Sequence, residues 1–428
     1  MITDKYYSLA KKKLFPICRS ITGDGIRSSL KIIKKKFPDL KITEKKSNTR
    51  VFDWKIPPEW NIKDAYVKDK YNKKIINFKK NNLHIVSYSI AVDKFISKKE
   101  LLKRIHTIPK YPNAIPYVTS YYKKNWGFCS TYSQKKNITN SYKDNDKFKV
   151  VIDSSHKKEG SLTYGELTIK GKLQQVILIS TYLCHPSMAN NELSGPIVSL
   201  ALIEYFQKKL PDKTLKFIFI PETIGSITYL NKNLNLLKKR MIGGFNLSCI
   251  GDEKNHSCML SKYGKSKSDK ALLRAYKKLR IKYKLYSYLE RGSDERQYNS
   301  PGIDLGVSSI FRSKYNTFSE YHTSHDNFKL VTKKGIYGGY KVAKTAIEIL
   351  LKMQIPKNLI LCEPQMSKKN LYHSLSNNKI KQNTKNIMNF LQFADGSNEL
   401  KEISKYIKCN LAETKKIYDI LLKKRLIL

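Results

Sequence analysis

The stretch from Ile179 to Gly195, Ile-Ser-Thr-Tyr-Leu-Cys-His-Pro-Ser-Met-Ala-Asn-Asn-Glu-Leu-Ser-Gly, constrains the fold of this chain most. It closes the apolar, β-branched run Val176 to Ile179, which predicts a buried strand. The strand delivers His185 to its end, and a polar loop with Asn190, Asn191 and Glu192 follows. Ser194-Gly-Pro then opens an apolar helix through Val198, Leu200, Ala201, Ile203 and Phe206. Open α/β sheets place ligands at the carboxyl ends of their strands. A His and several oxygen-bearing side chains delivered there suggest a metal site.

The rest of the chain bounds what surrounds this unit. A length of 428 residues suggests two or three domains, and 40% hydrophobic content with 28 Tyr and 16 Phe supplies a sizeable core. No run of eighteen apolar residues predicts a membrane span, and the first residues lack the form of a signal peptide. Seven cysteines without a CxxC spacing point to reduced thiols and a cytoplasmic location. The net charge of +47 raises the question of nucleic acid. The excess is mostly Lys, spread from end to end beside abundant Asn and Ile, and no Arg–aromatic cluster marks a binding face. Compositional bias on solvated surfaces is the simpler account.

Residues 1 to about 45 read as helical, broken by the loop Arg19-Ser-Ile-Thr-Gly-Asp-Gly25. Residues 51–129 alternate in short strand-like pieces, Val51-Phe-Asp-Trp, Ile75-Ile-Asn-Phe and His84-Ile-Val-Ser-Tyr, punctuated by prolines. They predict a small β-rich insert. Residues 1–50 and 130–355 form the remaining unit. Within it Val150-Val-Ile, Leu167-Thr-Ile, Val176–Ile179, Phe217–Ile220 and Gly243–Leu247 read as strands. Leu193–Lys209, Ser268–Lys282 and Lys334–Met353 read as helices. The alternation predicts an α/β fold with a mixed, largely parallel sheet sandwiched by helices. A polar Asn/Lys-rich segment runs to about Gln382. From 384 to 428, three short amphipathic helices and the closing Arg425-Leu-Ile-Leu predict a winged helix.

Three successive strands end in His185, Glu222 and Asp252, and a fourth leads to Glu320-Tyr-His322-Thr-Ser-His325. Parallel strands align these ends on one edge, and imidazole with carboxylate suits zinc. Each residue has an alternative role. Taken alone, His185 reads more readily as a hydrogen-bonded core histidine, Glu222 serves as a helix cap, and Asp252 with Glu253 as a solvated turn. His325 reads as a surface residue. The recurrence over four strands favours a site.

With Cys184-His-Pro-Ser, Asn191-Glu-Leu-Ser-Gly, Pro221-Glu-Thr-Ile-Gly-Ser, Gly292-Ser-Asp-Glu-Arg-Gln-Tyr and Glu320-Tyr-His-Thr in view, the chain resembles the zinc aminopeptidases. More closely, it resembles a bacterial aminopeptidase-like family linked to polysaccharide biosynthesis, whose members add a β-rich insert and a C-terminal winged helix. Arg19-Ser-Ile-Thr-Gly-Asp-Gly, Val51-Phe-Asp-Trp, Pro58-Glu-Trp-Asn-Ile, Asn82-Leu-His, Ile115-Pro-Tyr-Val-Thr-Ser-Tyr-Tyr and Trp126-Gly-Phe-Cys extend the match over nearly the whole length.

The resemblance implies metal ligands at His185, Asn191, Asp252 and His322, and a general base at Glu222. It puts Asp294 and Arg296 near the pocket; Tyr321 is added as a substrate-side residue. Two departures matter. Asn191 stands where the aminopeptidases have the Asp that bridges two zincs, and Thr223 where they have a zinc-binding Glu. Two close cations need negative ligands between them. One zinc at most is therefore expected rather than two, on His185 and Asp252 with His322 as a further ligand, and Asp294 and Glu295 as candidate substitute ligands; the alternative is that the metal site has decayed. The implied reaction is hydrolysis of a small peptide or N-acyl amide by a zinc-activated water. The alternative is an inactive peptidase-fold scaffold in polysaccharide biosynthesis. The helix from Leu411 carries modest positive charge, so the winged helix reads as a protein-contact or self-association module rather than a DNA reader.

Overall fold

The computed structural model describes residues 1–371 and 378–428, with no account of the side chains of 378–381. An eight-stranded sheet organises the first part of the chain. Its spatial order is Lys41–Lys46, Ser161–Ile169, Lys213–Ile220, Leu173–Tyr182, Met241–Leu247, Val307–Phe311, Ser257–Met259 and Lys284–Tyr286. The four central strands, from Lys213–Ile220 to Val307–Phe311, are mutually parallel. Antiparallel pairings occur towards both edges.

Burial on both faces explains the apolar runs. Along Leu173–Tyr182, Ile177 and Ile179 pack into one core while Leu178 packs into another. Leu215, Phe217 and Phe219 alternate in the same way with Ile218 and Ile220. The first core holds the helices Asp24–Lys36, Ser194–Lys208, Lys267–Leu279 and Lys333–Lys352 against the sheet. Gly195 sets the approach of one of them: a Cβ there would lie 2.3 Å from the Leu247 carbonyl oxygen. The helix Ile224–Arg240 covers the opposite face.

That second core runs on into the inserted lobe, joining Leu178, Ile218 and Ile227 to Ile56, Trp60, Phe128 and Phe148. The lobe contains a four-stranded antiparallel sheet ordered Lys74–Asn77, Glu59–Lys68, Lys147–Lys157 and Val92–Ser97. Three expectations change here. Lys147–Lys157, expected in the α/β unit, pairs within the lobe. Only its alternate residues Phe148, Val150 and Ile152 are buried, so three apolar letters in a row do not identify the partner sheet. Residues 41–46, expected to be helical, form an edge strand of the large sheet. His84-Ile-Val-Ser-Tyr, expected as a strand, makes a short helical turn and two isolated bridges.

The C-terminal module has helices Asn378–Phe393, Leu400–Tyr406 and Leu411–Lys423. Its core reaches upstream of 384 to Met366 and Leu371, and Leu426 and Leu428 bond antiparallel to residues 357–359. Part of the supposed polar linker therefore belongs to it, while 372–377 lie outside the described residues. No helix among the described residues is long and apolar enough to cross a membrane.

Candidate active site

The carboxyl ends of the central strands open onto a cavity of about 350 Å³. Its wall includes His185, Glu222, Thr223, Arg296 and His322, faced by Trp54, Tyr117, Tyr121 and Tyr122 from the inserted lobe. His185 follows Leu173–Tyr182, and Glu222 follows Lys213–Ile220. Their approach is direct, with His185 Nε2 lying 3.6 Å from Glu222 Oε2.

A residue not assigned from the sequence holds His185 in place. Glu192 Oε2 lies 2.7 Å from His185 Nδ1, and its other oxygen lies 3.6 Å from the buried Arg19 guanidinium. Arg19 Nε also donates to the His185 carbonyl at 3.1 Å. Burial disfavours charge on His185, yet its Cys184 and Glu192 neighbours hold its pKa well above the usual range. Burial pushes the Cys184 thiol up to about 11, so it is neutral at pH 7. Among the described residues, Cys184, His185 and Glu192 form the one group of three candidate ligands with mutually close donor atoms. With a neutral thiol and a carboxylate already engaged by His185 and Arg19, that group reads as the support of the His185 ring.

The Asn190–Glu192 loop is shaped from below. Asp326 accepts backbone N–H bonds from Ala189, Asn190 and Asn191 at 3.2, 2.5 and 2.8 Å. These bonds organise a single widened helical turn, a form common at functional sites.

Glu222 and Thr223 sit on a strained turn. Ile224 N–H donates to the Glu222 carbonyl at 2.8 Å around Thr223, whose φ is 65° and ψ −77°. This is the rare γ-turn with positive φ, costly for a β-branched residue. Two bonds hold it: Thr223 N–H to Asp294 Oδ1 at 2.8 Å, and Arg296 Nη2 to Thr223 Oγ1 at 2.6 Å. Burial raises the Glu222 pKa above its ordinary value, with His185 opposing. Burial, reinforced by the Glu222 charge, pushes Asp294 up to about 8.

His322 also has positive φ, 54°. Its loop is stitched to the lobe by Tyr117 N–H to the His322 carbonyl at 2.8 Å and Ser324 N–H to the Ile115 carbonyl at 2.9 Å. Its ring stacks on Tyr321 at 3.9 Å and lies 5.4 Å from the His185 ring. Nε2 is buried without a hydrogen-bond partner. Burial, with His185 beside it, depresses the pKa to about 3, so the imidazole is neutral.

The remaining expected residues lie elsewhere. Asp252 is buried, and its oxygens accept from Asn190 Nδ2 at 2.9 Å, Ser313 N at 3.0 Å, Ser313 Oγ at 2.8 Å and Lys254 N at 2.9 Å. It does not line the cavity. The Asn191 amide oxygen accepts from the Tyr182 hydroxyl at 3.1 Å, and this residue too is absent from the wall. Asp294 and Tyr321 stand behind the wall, supporting Thr223 and His322. Glu295 is occupied by Gly292, Ser293, Tyr315, Asn246 and Ser309. His325 is exposed.

Comparison with known proteins places this arrangement. Residues 7–352 match the family described as a domain of unknown function, DUF4910, and residues 354–428 match a winged helix-turn-helix family. A Clostridium acetobutylicum protein, provisionally named for polysaccharide biosynthesis with an aminopeptidase-like domain, is 44% identical over 372 residues, spanning 85% of this chain and 82% of its own. A crystal structure of a protein provisionally named a peptidase from the same organism is 40% identical and covers 100% of this chain and 96% of its own, with a TM-score of 0.78. The zinc aminopeptidase of Bacillus subtilis shares the fold at 14% identity, with 81% of this chain and 93% of its own covered and a TM-score of 0.60. The chain belongs to the bacterial aminopeptidase-like family defined by the 7–352 domain and carries a winged helix-turn-helix module behind it.

Proposed function

We propose that this protein is an amide hydrolase that works with a single zinc ion. The observation that carries the reading is the pair of imidazoles at Glu222. His185 has Nδ1 tied to Glu192, which leaves Nε2 towards Glu222, and His322 has a buried Nε2 with no partner. A carboxylate on the far nitrogen of a ligating His is the usual support of a metal site. His185 and His322 would therefore hold the ion, whereas Asn191 and Asp252, bonded elsewhere, would not. When bound, zinc supplies polarisation of a carbonyl and a lowered pKa for water.

The other steps belong to the chain. Glu222, with a raised pKa, accepts a proton from the attacking water and passes it to the leaving nitrogen. Arg296 contacts the substrate, while Asp294 and Tyr321 support Thr223 and His322 from behind. The aromatic wall from the lobe limits the amide to a small peptide or an N-acyl compound.

Elemental analysis of protein purified without chelators tests this. The expected result is close to one zinc per chain, lost in His185→Ala and kept in Glu222→Gln. On an N-acyl amide that the wild type cleaves, Glu222→Gln lowers turnover by about 10²-fold or more. A zinc-replete protein that takes up no metal favours the second reading, an inactive peptidase-fold scaffold for polysaccharide synthesis. The hydrogen bonds that occupy Asp252 and the neutral Asn191 support that alternative.

We infer that the winged helix makes protein contacts or mediates self-association rather than reading DNA. Its Glu399 and Glu402 already pair with Arg274, Lys267 and Lys270 of the α/β body.

A further inference from the structure

We propose that the substrate of this site carries a carboxylate and that Arg296 selects it; the inference rests on the hydrolase reading above for the identity of the site. Arg296 lines the cavity. One guanidinium nitrogen, Nη2, donates to Thr223 Oγ1 at 2.6 Å, while Nε is buried without a hydrogen-bond partner. No carboxylate lies within 4.0 Å of the Arg296 guanidinium among the described residues. An unbonded buried N–H is costly, and the planar fork of Arg matches the two oxygens of a carboxylate.

The rest of the wall offers a substrate ammonium group a single carboxylate, Glu222, among the described residues. Glu222 is the one carboxylate lining the cavity, and it faces His185 Nε2 at 3.6 Å. Glu192 lies behind His185, with Oε2 2.7 Å from that ring and Oε1 3.6 Å from Arg19 Nε, and it does not line the cavity. At position 223 the side chain is a neutral hydroxyl, turned into the Arg296 hydrogen bond. A free α-amine bound here would meet the Arg296 guanidinium, with Glu222, the general base of the proposed reaction, as the one carboxylate on the wall among the described residues. Opposite lie Trp54 and Tyr122, 40% and 54% exposed, with Tyr121 deeper in the wall. Such a surface takes a flat, apolar face, either an aromatic side chain or a sugar ring. The class that fits both walls is an N-acylated compound with a free carboxylate, in contrast to a peptide with a free N-terminus.

Titration calorimetry on the full-length protein tests this with four probes: N-acetyl-L-phenylalanine, N-acetyl-L-phenylalaninamide, L-phenylalaninamide and N-acetylmuramic acid. A carboxylate probe is expected to bind about tenfold more tightly than either amide, the gain of a charge-assisted hydrogen bond. Arg296→Gln removes that preference, and Arg296→Lys, which keeps the charge, retains part of it. Should Arg296→Gln fail to fold, the Lys variant and the wild-type ranking still decide the matter. Preference for the amino acid or for the sugar acid tells the two carboxylate sources apart, and both support the proposal. Equal or tighter binding of L-phenylalaninamide, a preference that survives Arg296→Gln, or no binding of either carboxylate overturns it. Hydrolysis is followed separately. Arg296-dependent binding without turnover by the zinc-loaded protein sinks the hydrolase reading alone. Turnover of free-amine substrates with no carboxylate preference sinks this inference alone.

Discussion

At the scale of single residues, the site depends on a buried charge that the cavity never exposes. Arg19 and Glu192 are both fully buried, and together they fix the ring of His185. Replacing Arg19 by Ala leaves the Glu192 carboxylate buried beside a single remaining partner. The expected cost is about 3 kcal/mol or more in urea unfolding, with zinc content reduced in parallel. A variant that loses neither assigns the support of His185 to another group. His185 and Glu222 were legible as side chains delivered at strand ends, whereas Arg296 and His322, which line the same cavity, stood in motifs carried by the family resemblance. Sequence reasoning passed over Glu192, which stood in the loop after His185, because nothing local distinguishes an acid that orients a ligand from one that faces solvent. Its partner Arg19 is 173 positions away in the chain. Asp252 illustrates the converse. A carboxylate at a strand end is visible in the letters, whereas the four hydrogen bonds that occupy it come from Asn190, Ser313 and Lys254.

At the scale of elements, the central parallel strands were legible because burial on both faces writes a continuous apolar run. Lys147–Lys157 was harder to place, since a one-sided strand is compatible with either sheet. The docking of the winged helix was not legible, because its ion pairs join residues 125 to 135 positions apart. Glu402 of the helix Leu400–Tyr406 pairs with Lys267 and Lys270. Partial burial opposes its charge, but Lys270, a backbone N–H and Lys267 hold its pKa down at about 2. A depressed carboxylate contributes stability above its unfolded value of about 4.5 and loses it as pH falls towards about 2. Thermal unfolding between those values is expected to show a downward slope that Glu402→Gln flattens. An unchanged slope in the variant removes this ion pair from the interface energetics.

At the scale of the whole molecule, the charge of +47 is a property of the surface at large. Such a surface adsorbs polyanions through counterion release, without reading sequence. Duplex DNA is expected to bind weakly at low salt, to dissociate as salt rises, and to show no preference among sequences. The double change Lys415→Glu, Lys416→Glu on the last long helix should leave that behaviour nearly intact; a collapse of binding would make the winged helix a true DNA reader. The inserted lobe raises a different matter. Its hydrophobic core is continuous with the one beneath the large sheet, from Phe148 and Trp60 through to Leu178 and Ile227. A part joined in this way is expected to unfold together with the sheet in a single transition. The lobe interrupts the chain as a module would, yet it sits as a keystone does: it carries the aromatic wall of the cavity, so the size of molecule admitted depends on a core that lobe and sheet share.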